Sequence, residues 1–222
     1  MKAAAASLIV LAALAPCAMA DVIYSNDFES GVIGAEWSAN TYTSNAANFT
    51  RFNGRYSPGY TVLSLAYPNI TPPINTIGGD PQFRVTFDFY AIDSWDGNGS
   101  TSIAPSLMGP DRFSVKVNGT TRLSHTFSNM PGVTQSFRAP DVGPAHLGYN
   151  SGFLDSIYRG ITVDFSVAPG TPIVIRWEDL GLEGLTYESW GIDNVTVTYT
   201  SVPTPGSLAL LGVGAALLRR KR

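Results

Sequence analysis

The run Asp93-Ser94-Trp95-Asp96-Gly97-Asn98-Gly99 places oxygen-bearing side chains, glycines and an indole together. Oxygen donors in a glycine-rich turn suit a hard cation or the hydroxyls of a sugar, with Trp95, Asp96 and Asn98 as the contacting groups. The spacing is not that of an EF-hand, whose loop needs glycine at its sixth position, because counting from Asp93 that residue is Asn98. The same composition also serves an ordinary inter-strand turn. Trp95, Tyr149, Tyr187 and Trp190 carry ring faces that could stack on a pyranose or equally fill a core.

Catalytic chemistry finds little to work with. The two histidines are His125, inside a strand-like pattern, and His146, in a loop, and there is no Gly-x-Ser-x-Gly or His-Glu-x-x-His run. Glu178, Asp179, Glu183 and Glu188 are the carboxylates from which a glycosidase pair would be drawn. That mechanism needs two carboxyls facing each other across the scissile bond, a separation that no spacing here fixes. The chain therefore reads as non-enzymatic, with a secreted glycan hydrolase as the third alternative.

Strands must position these groups. Phe83, Val85, Phe87, Phe89 and Ala91 alternate with Arg84, Thr86, Asp88 and Tyr90, the period-two pattern of a strand with one buried face. The alternation returns in Phe113-Val115-Val117, Ile161-Val163-Phe165-Val167, Ile173-Ile175-Trp177 and Val195-Val197-Tyr199, and more weakly in 22–25 and 62–67. Asn118-Gly119 predicts a tight turn closing a hairpin over 111–127, since both residues tolerate positive φ. Seven or more short strands without crossover helices predict an all-β fold, an antiparallel two-sheet jelly-roll-like sandwich, with a small β-barrel as the alternative. The Gly-, Pro- and Asn-rich stretch 128–156 is expected to form ordered loops over one end.

The two ends of the chain differ from this middle. Lys2, an apolar run over 3–15 and Ala18-Met19-Ala20 have the order of a cleavable signal peptide, residues 1–20. Cys17, the one cysteine, would leave with it, so no disulfide is expected in the β-sandwich domain, residues 21–201. At the other end stand Pro203 and Pro205, an apolar run over 208–218, and Arg219-Arg220-Lys221-Arg222. From 206 to 218 a helix would rise about 20 Å, short for a hydrocarbon core of about 30 Å, and its basic flank would stay cytoplasmic.

Together, the proline motif, apolar helix and basic cluster over 202–222 resemble the PEP-CTERM sorting signal of Gram-negative, exopolysaccharide-producing bacteria, with Thr204 where that family has glutamate. The resemblance implies a short C-terminal transmembrane helix and a transient inner-membrane attachment. It further implies processing by an exosortase-like membrane protease and delivery to the cell surface or extracellular matrix. Of the 14 Lys and Arg, five lie at 2 and 219–222, so residues 21–201 carry nine against all 17 Asp and Glu, a net charge of -8. Such a surface disfavours nucleic acid as a partner.

Asn26-Asp27-Phe28-Glu29 near the start and Trp190-Gly191-Ile192-Asp193-Asn194 near the end resemble the first and last strands of carbohydrate-binding jelly-roll modules. That resemblance implies a structural calcium ion (Ca2+) held by carboxylates from both ends, here Asp27, Glu29 and Asp193. It also implies a glycan, an exopolysaccharide or cell-surface polymer, as partner. A structural or adhesive matrix protein without a small ligand is the rival.

Overall fold

In the computed structural model the described residues are 20–38, 43–46, 48–56, 62–67, 81–99, 109–168 and 170–200. The expected leader, apart from its last residue Ala20, and the whole sorting signal, including Pro203, Pro205, Arg219 and Arg220, lie outside them. The described elements are strands: β1 (Ala20–Asn26), β2 (Thr43–Ser44), β3 (Phe52–Tyr56), β4 (Val62–Tyr67), β5 (Gln82–Asp93), β6 (Arg112–Val117), β7 (Thr120–Thr126), β8 (Val142–Ala145), β9 (Asp155–Ser166), β10 (Ile173–Leu180) and β11 (Glu188–Thr200). They form two antiparallel sheets, one ordered β2-β3-β11-β5-β9-β8 with β1 also paired to β11, the other β4-β10-β6-β7. The fold is all-β, an antiparallel two-sheet jelly-roll-like sandwich.

Alternation in the sequence becomes packing between the sheets. Phe83, Val85, Phe87 and Phe89 of β5 face Phe113, Val115, Ile175 and Trp177 of the smaller sheet in one core. Phe89 stacks on Phe113 with centroids 4.1 Å apart, and Phe87 meets Trp177 edge-on at 5.8 Å. Burying such rings contributes the largest share of stability per residue. The hairpin turn lies at Asn118 (φ 48°) and Gly119 (φ 81°), between β6 and β7.

The one-face pattern stops at Phe89. Tyr90 and Ile92, on the outer face of β5, are buried too, because Phe49, Phe52, Leu147 and Ile157 close over them as a second, smaller core. Residues Ala46 and Phe49 and the segment 142–149 thus add a partial third layer to the larger sheet, and the expected loop stretch supplies β8 within it.

β3 was not expected, since its sequence Phe52-Asn53-Gly54-Arg55-Tyr56 carries a turn dipeptide in its middle. Pairing with β11 sets Gly54 opposite Gly191. A Cβ on Gly54, which has φ 146°, would sit 2.5 Å from the Gly191 Cα. Replacing Gly54→Ala is expected to destabilise the protein by about 3 kcal/mol, through both overpacking and the positive φ. Gly119→Ala, whose Cβ would meet nothing within 4 Å, bears only the backbone strain of about 1–2 kcal/mol. Urea denaturation of the two variants beside the parent measures the difference.

Candidate functional site

The residues that could do chemistry gather where β5 ends and β11 begins. At the end of β5, Asp93 is wholly buried and its Oδ2 accepts a hydrogen bond from Arg55 Nη2 at 3.2 Å. Arg55 also donates to the Leu185 carbonyl at 3.1 Å, and its guanidinium lies 4.6 Å from the centroid of the Tyr149 ring. Tyr149 exchanges a hydrogen bond with Ser44 Oγ at 2.7 Å and contacts Phe49 and Phe52. Arg55, Tyr149, Asn150, Ser151, Leu185 and Thr186 line a shallow, open depression of about 450 Å³. Tyr187, next to it in sequence, is 53% exposed and meets Phe153 edge-on.

Of the expected ligand-binding residues, only Asn98 is at the surface, where its amide donates to Thr134 Oγ1 at 2.9 Å. Trp95 is fully buried, its indole donating to the Ser189 carbonyl at 2.8 Å and its ring packed on Phe89 and Phe127. It locks the loop after β5 onto β11 and offers no platform to a sugar. Trp190 is likewise core, donating from its indole to Asp179 Oδ2. Asp96 is buried, and one oxygen each from Asp96, Asp111 and Glu188 lie within 4.8 Å of one another. Asp111 stands just before β6 and Glu188 opens β11, so three separate elements deliver this group.

The carboxylates from the chain ends are placed differently. Asp27 and Glu29 are exposed; Asp27 Oδ1 accepts from the Glu29 amide at 3.2 Å, and Glu29 Oε1 from the Arg51 amide at 3.0 Å. Asp193 is buried beside a register shift in the β11–β5 pairing and accepts from Thr50 Oγ1, Tyr90 Oη and the Asn194 amide, each at 2.7 Å. Residues from both ends thus meet on the segment at 50–51. Among the described residues, however, the one set of three acidic groups that converges closely enough to hold a metal is Asp96, Asp111 and Glu188.

The glycosidase candidates are each engaged within the protein. Glu178 pairs with Lys116, Asp179 holds the Trp190 indole, and Glu188 Oε2 accepts from the Glu183 amide at 2.6 Å. His125 approaches Ser136 Oγ at 3.3 Å, and His146 Nδ1 lies 2.7 Å from the Phe153 carbonyl. Arg55 and Asp111 are not marked by the sequence. An arginine between a glycine and a tyrosine, and an aspartate after a proline, carry no local signal of the partners that folding brings to them.

No family model matches the chain, and no curated protein matches it in sequence. Solved structures are similar in architecture. The CBM22-1 xylan-binding domain from Paenibacillus barcinonensis is 11% identical, with a TM-score of 0.40 over 85% of this chain and 100% of that one. The cleaved adhesin domain of Lys-gingipain from Porphyromonas gingivalis is 14% identical, with a TM-score of 0.40 over 78% and 96%. Latent PorU from the same organism is 10% identical, with a TM-score of 0.44 over 83% of this chain, which spans 13% of that protein. At these identities the likeness concerns the fold alone.

Burial raises several carboxyls above their ordinary range. Desolvation pushes Asp93 up to about 6, despite Arg55, and raises Asp155, Asp179 and Asp193. For an acid raised by folding, the unfolded chain ionises first as pH climbs, so its stabilising contribution is fully present below about pH 4. That contribution is lost as pH rises through about 6, the folded value for Asp93. Asp141 and Asp164, lowered by hydrogen bonds from Arg138 and Arg84, act the other way, but both are exposed and screened by solvent. The urea midpoint in chelator-treated buffer is therefore expected to be higher at pH 5 than at pH 7.5.

Proposed function

We propose that this protein is an exported, non-enzymatic glycan-binding module of the cell envelope or its surrounding matrix. The observation that carries the binding half is the depression around Arg55. Its guanidinium is fixed by Asp93, the Leu185 carbonyl and the Tyr149 ring, so little side-chain freedom is lost when a ligand arrives. Asn150, Ser151 and Thr186 add amide and hydroxyl groups, and Leu185 an apolar patch, the mixed lining that suits the two kinds of surface on a sugar ring. Because Asp93 already balances the Arg55 charge, a neutral ligand suits the depression better than an anionic one.

Export and sorting rest on the sequence of the two ends. The module is the soluble cargo, and an exosortase-like protease acts on the tail.

Affinity electrophoresis through gels containing neutral polysaccharides tests the binding. Retardation by at least one polymer is expected, and the Asn150→Ala/Ser151→Ala double variant should lose about tenfold or more in affinity with an unchanged melting temperature. No retardation by any polymer, or full retention in the double variant, would sink this reading. For the sorting half, removing residues 202–222 is expected to move the protein from the envelope to the medium. An unchanged distribution on cell fractionation would count against it.

A further inference from the structure

Asp111 and Glu188 are each wholly buried, and Asp96 is 6% exposed. Protein donors satisfy only part of this group. Asp111 Oδ2 accepts from the Asp96 amide, and Glu188 Oε2 from the Glu183 amide at 2.6 Å. The other oxygens, Asp111 Oδ1 and Glu188 Oε1, are buried and accept from no protein donor, and the Asp111 and Glu188 carboxyls lie within hydrogen-bond reach of each other. No Lys or Arg pairs with Asp111 or Glu188 among the described residues. Burying ionised carboxylates side by side without a countercharge is strongly unfavourable, so something positive must stand between them: a shared proton or a metal ion.

The chemistry of the donors separates these. A shared proton needs two oxygens, whereas three carboxylates from three elements converge here within 4.8 Å. All are hard oxygen donors, with neither imidazole nor thiolate, which disfavours zinc. Magnesium keeps several of its waters, and a set buried this deeply is poorly suited to them. Calcium accepts crowded carboxylates, monodentate or bidentate, in irregular geometry.

We propose that Asp96, Asp111 and Glu188 form a calcium site, separate from the carboxylates at the two chain ends. The ion ties the loop after β5 and the entry to β6 to the first residue of β11. Glu188 also closes the segment that carries Leu185 and Thr186 to the depression, so the ion holds that wall in place. The site itself does not depend on the glycan reading.

The test is titration of the chelator-stripped full chain with calcium chloride alone, followed by calorimetry and thermal melting. One equivalent should bind, and the melting temperature should rise by about 5–10 °C at a hundredfold excess over Kd. Asp111→Asn and Glu188→Gln should each abolish both effects, while Asp193→Asn keeps them. Should either core variant fold poorly, Asp96→Asn serves instead, with at least a tenfold weaker Kd expected, and far-UV circular dichroism establishes that it is folded. A stripped parent that is indifferent to millimolar calcium would overturn the proposal. If Glu188→Gln then also melted higher than the parent, the shared proton would be the correct account. Binding that survives in Asp111→Asn and Glu188→Gln would equally overturn it. Polysaccharide retardation, run with and without calcium, is read separately: a bound ion with no retardation leaves the site standing and removes only the glycan.

Discussion

The antiparallel pairing of β5 with β11 is the constraint from which the rest of the molecule follows. The two strands register from Glu188 opposite Asp93 to Thr200 opposite Gln82. One face supplies the wall of the main core and, at the Asp93 end, the other face supports the second core. β9 extends this pair on the β5 side, while β3 and β1 divide the free edge of β11 between them. What lies at the Asp93 end is fixed by this register too: Arg55 reaches across from β3, and the acidic group forms where both central strands meet their loops.

How an acidic chain buries so many carboxylates is the second organising fact. Each is answered locally. Asp193 is held by two hydroxyls and an amide, and Asp155 by the amides of Asp93 and Leu147. Asp179 takes an indole and Asp93 a guanidinium. These groups fasten loops to strands, since a charge-assisted bond to a backbone amide fixes the chain that bears it. Against that background Asp111 and Glu188 stand out, for each keeps one oxygen that no protein donor satisfies and, unlike Asp93 with its Arg55 partner, neither pairs with a cation among the described residues.

Period-two alternation made β5, β6, β9, β10 and β11 legible, and the Asn118-Gly119 pair located the hairpin, because both signals are local. The second core was not, since the burial of Tyr90 and Ile92 depends on Phe49 and Leu147, distant in sequence. β3 was hidden by its Asn53-Gly54 dipeptide, which reads as a turn until Gly191 is seen to require a bare backbone opposite. In the site, loop composition marks Asp96, and the sequence presents Glu188 only as a possible glycosidase carboxylate. Asp111 carries no local signal at all. Carboxylates next to turns usually lie in solvent, and convergence of three such residues is a property of the topology alone.

Ala20 opens β1 directly opposite Thr200 at the close of β11. The two chain ends of the domain therefore leave side by side, at the opposite end of β11 from Glu188, about 40 Å away at the usual rise per residue. Force carried from a partner in the depression to an attachment beyond Thr200 would run along β11, loading its hydrogen bonds to β5, β3 and β1 in shear, so that many must yield together. Tension drawn between the two chain ends would instead peel β1 from β11 one bond at a time. Tension along β11 thus meets many hydrogen bonds at once, and tension between the two ends meets them singly.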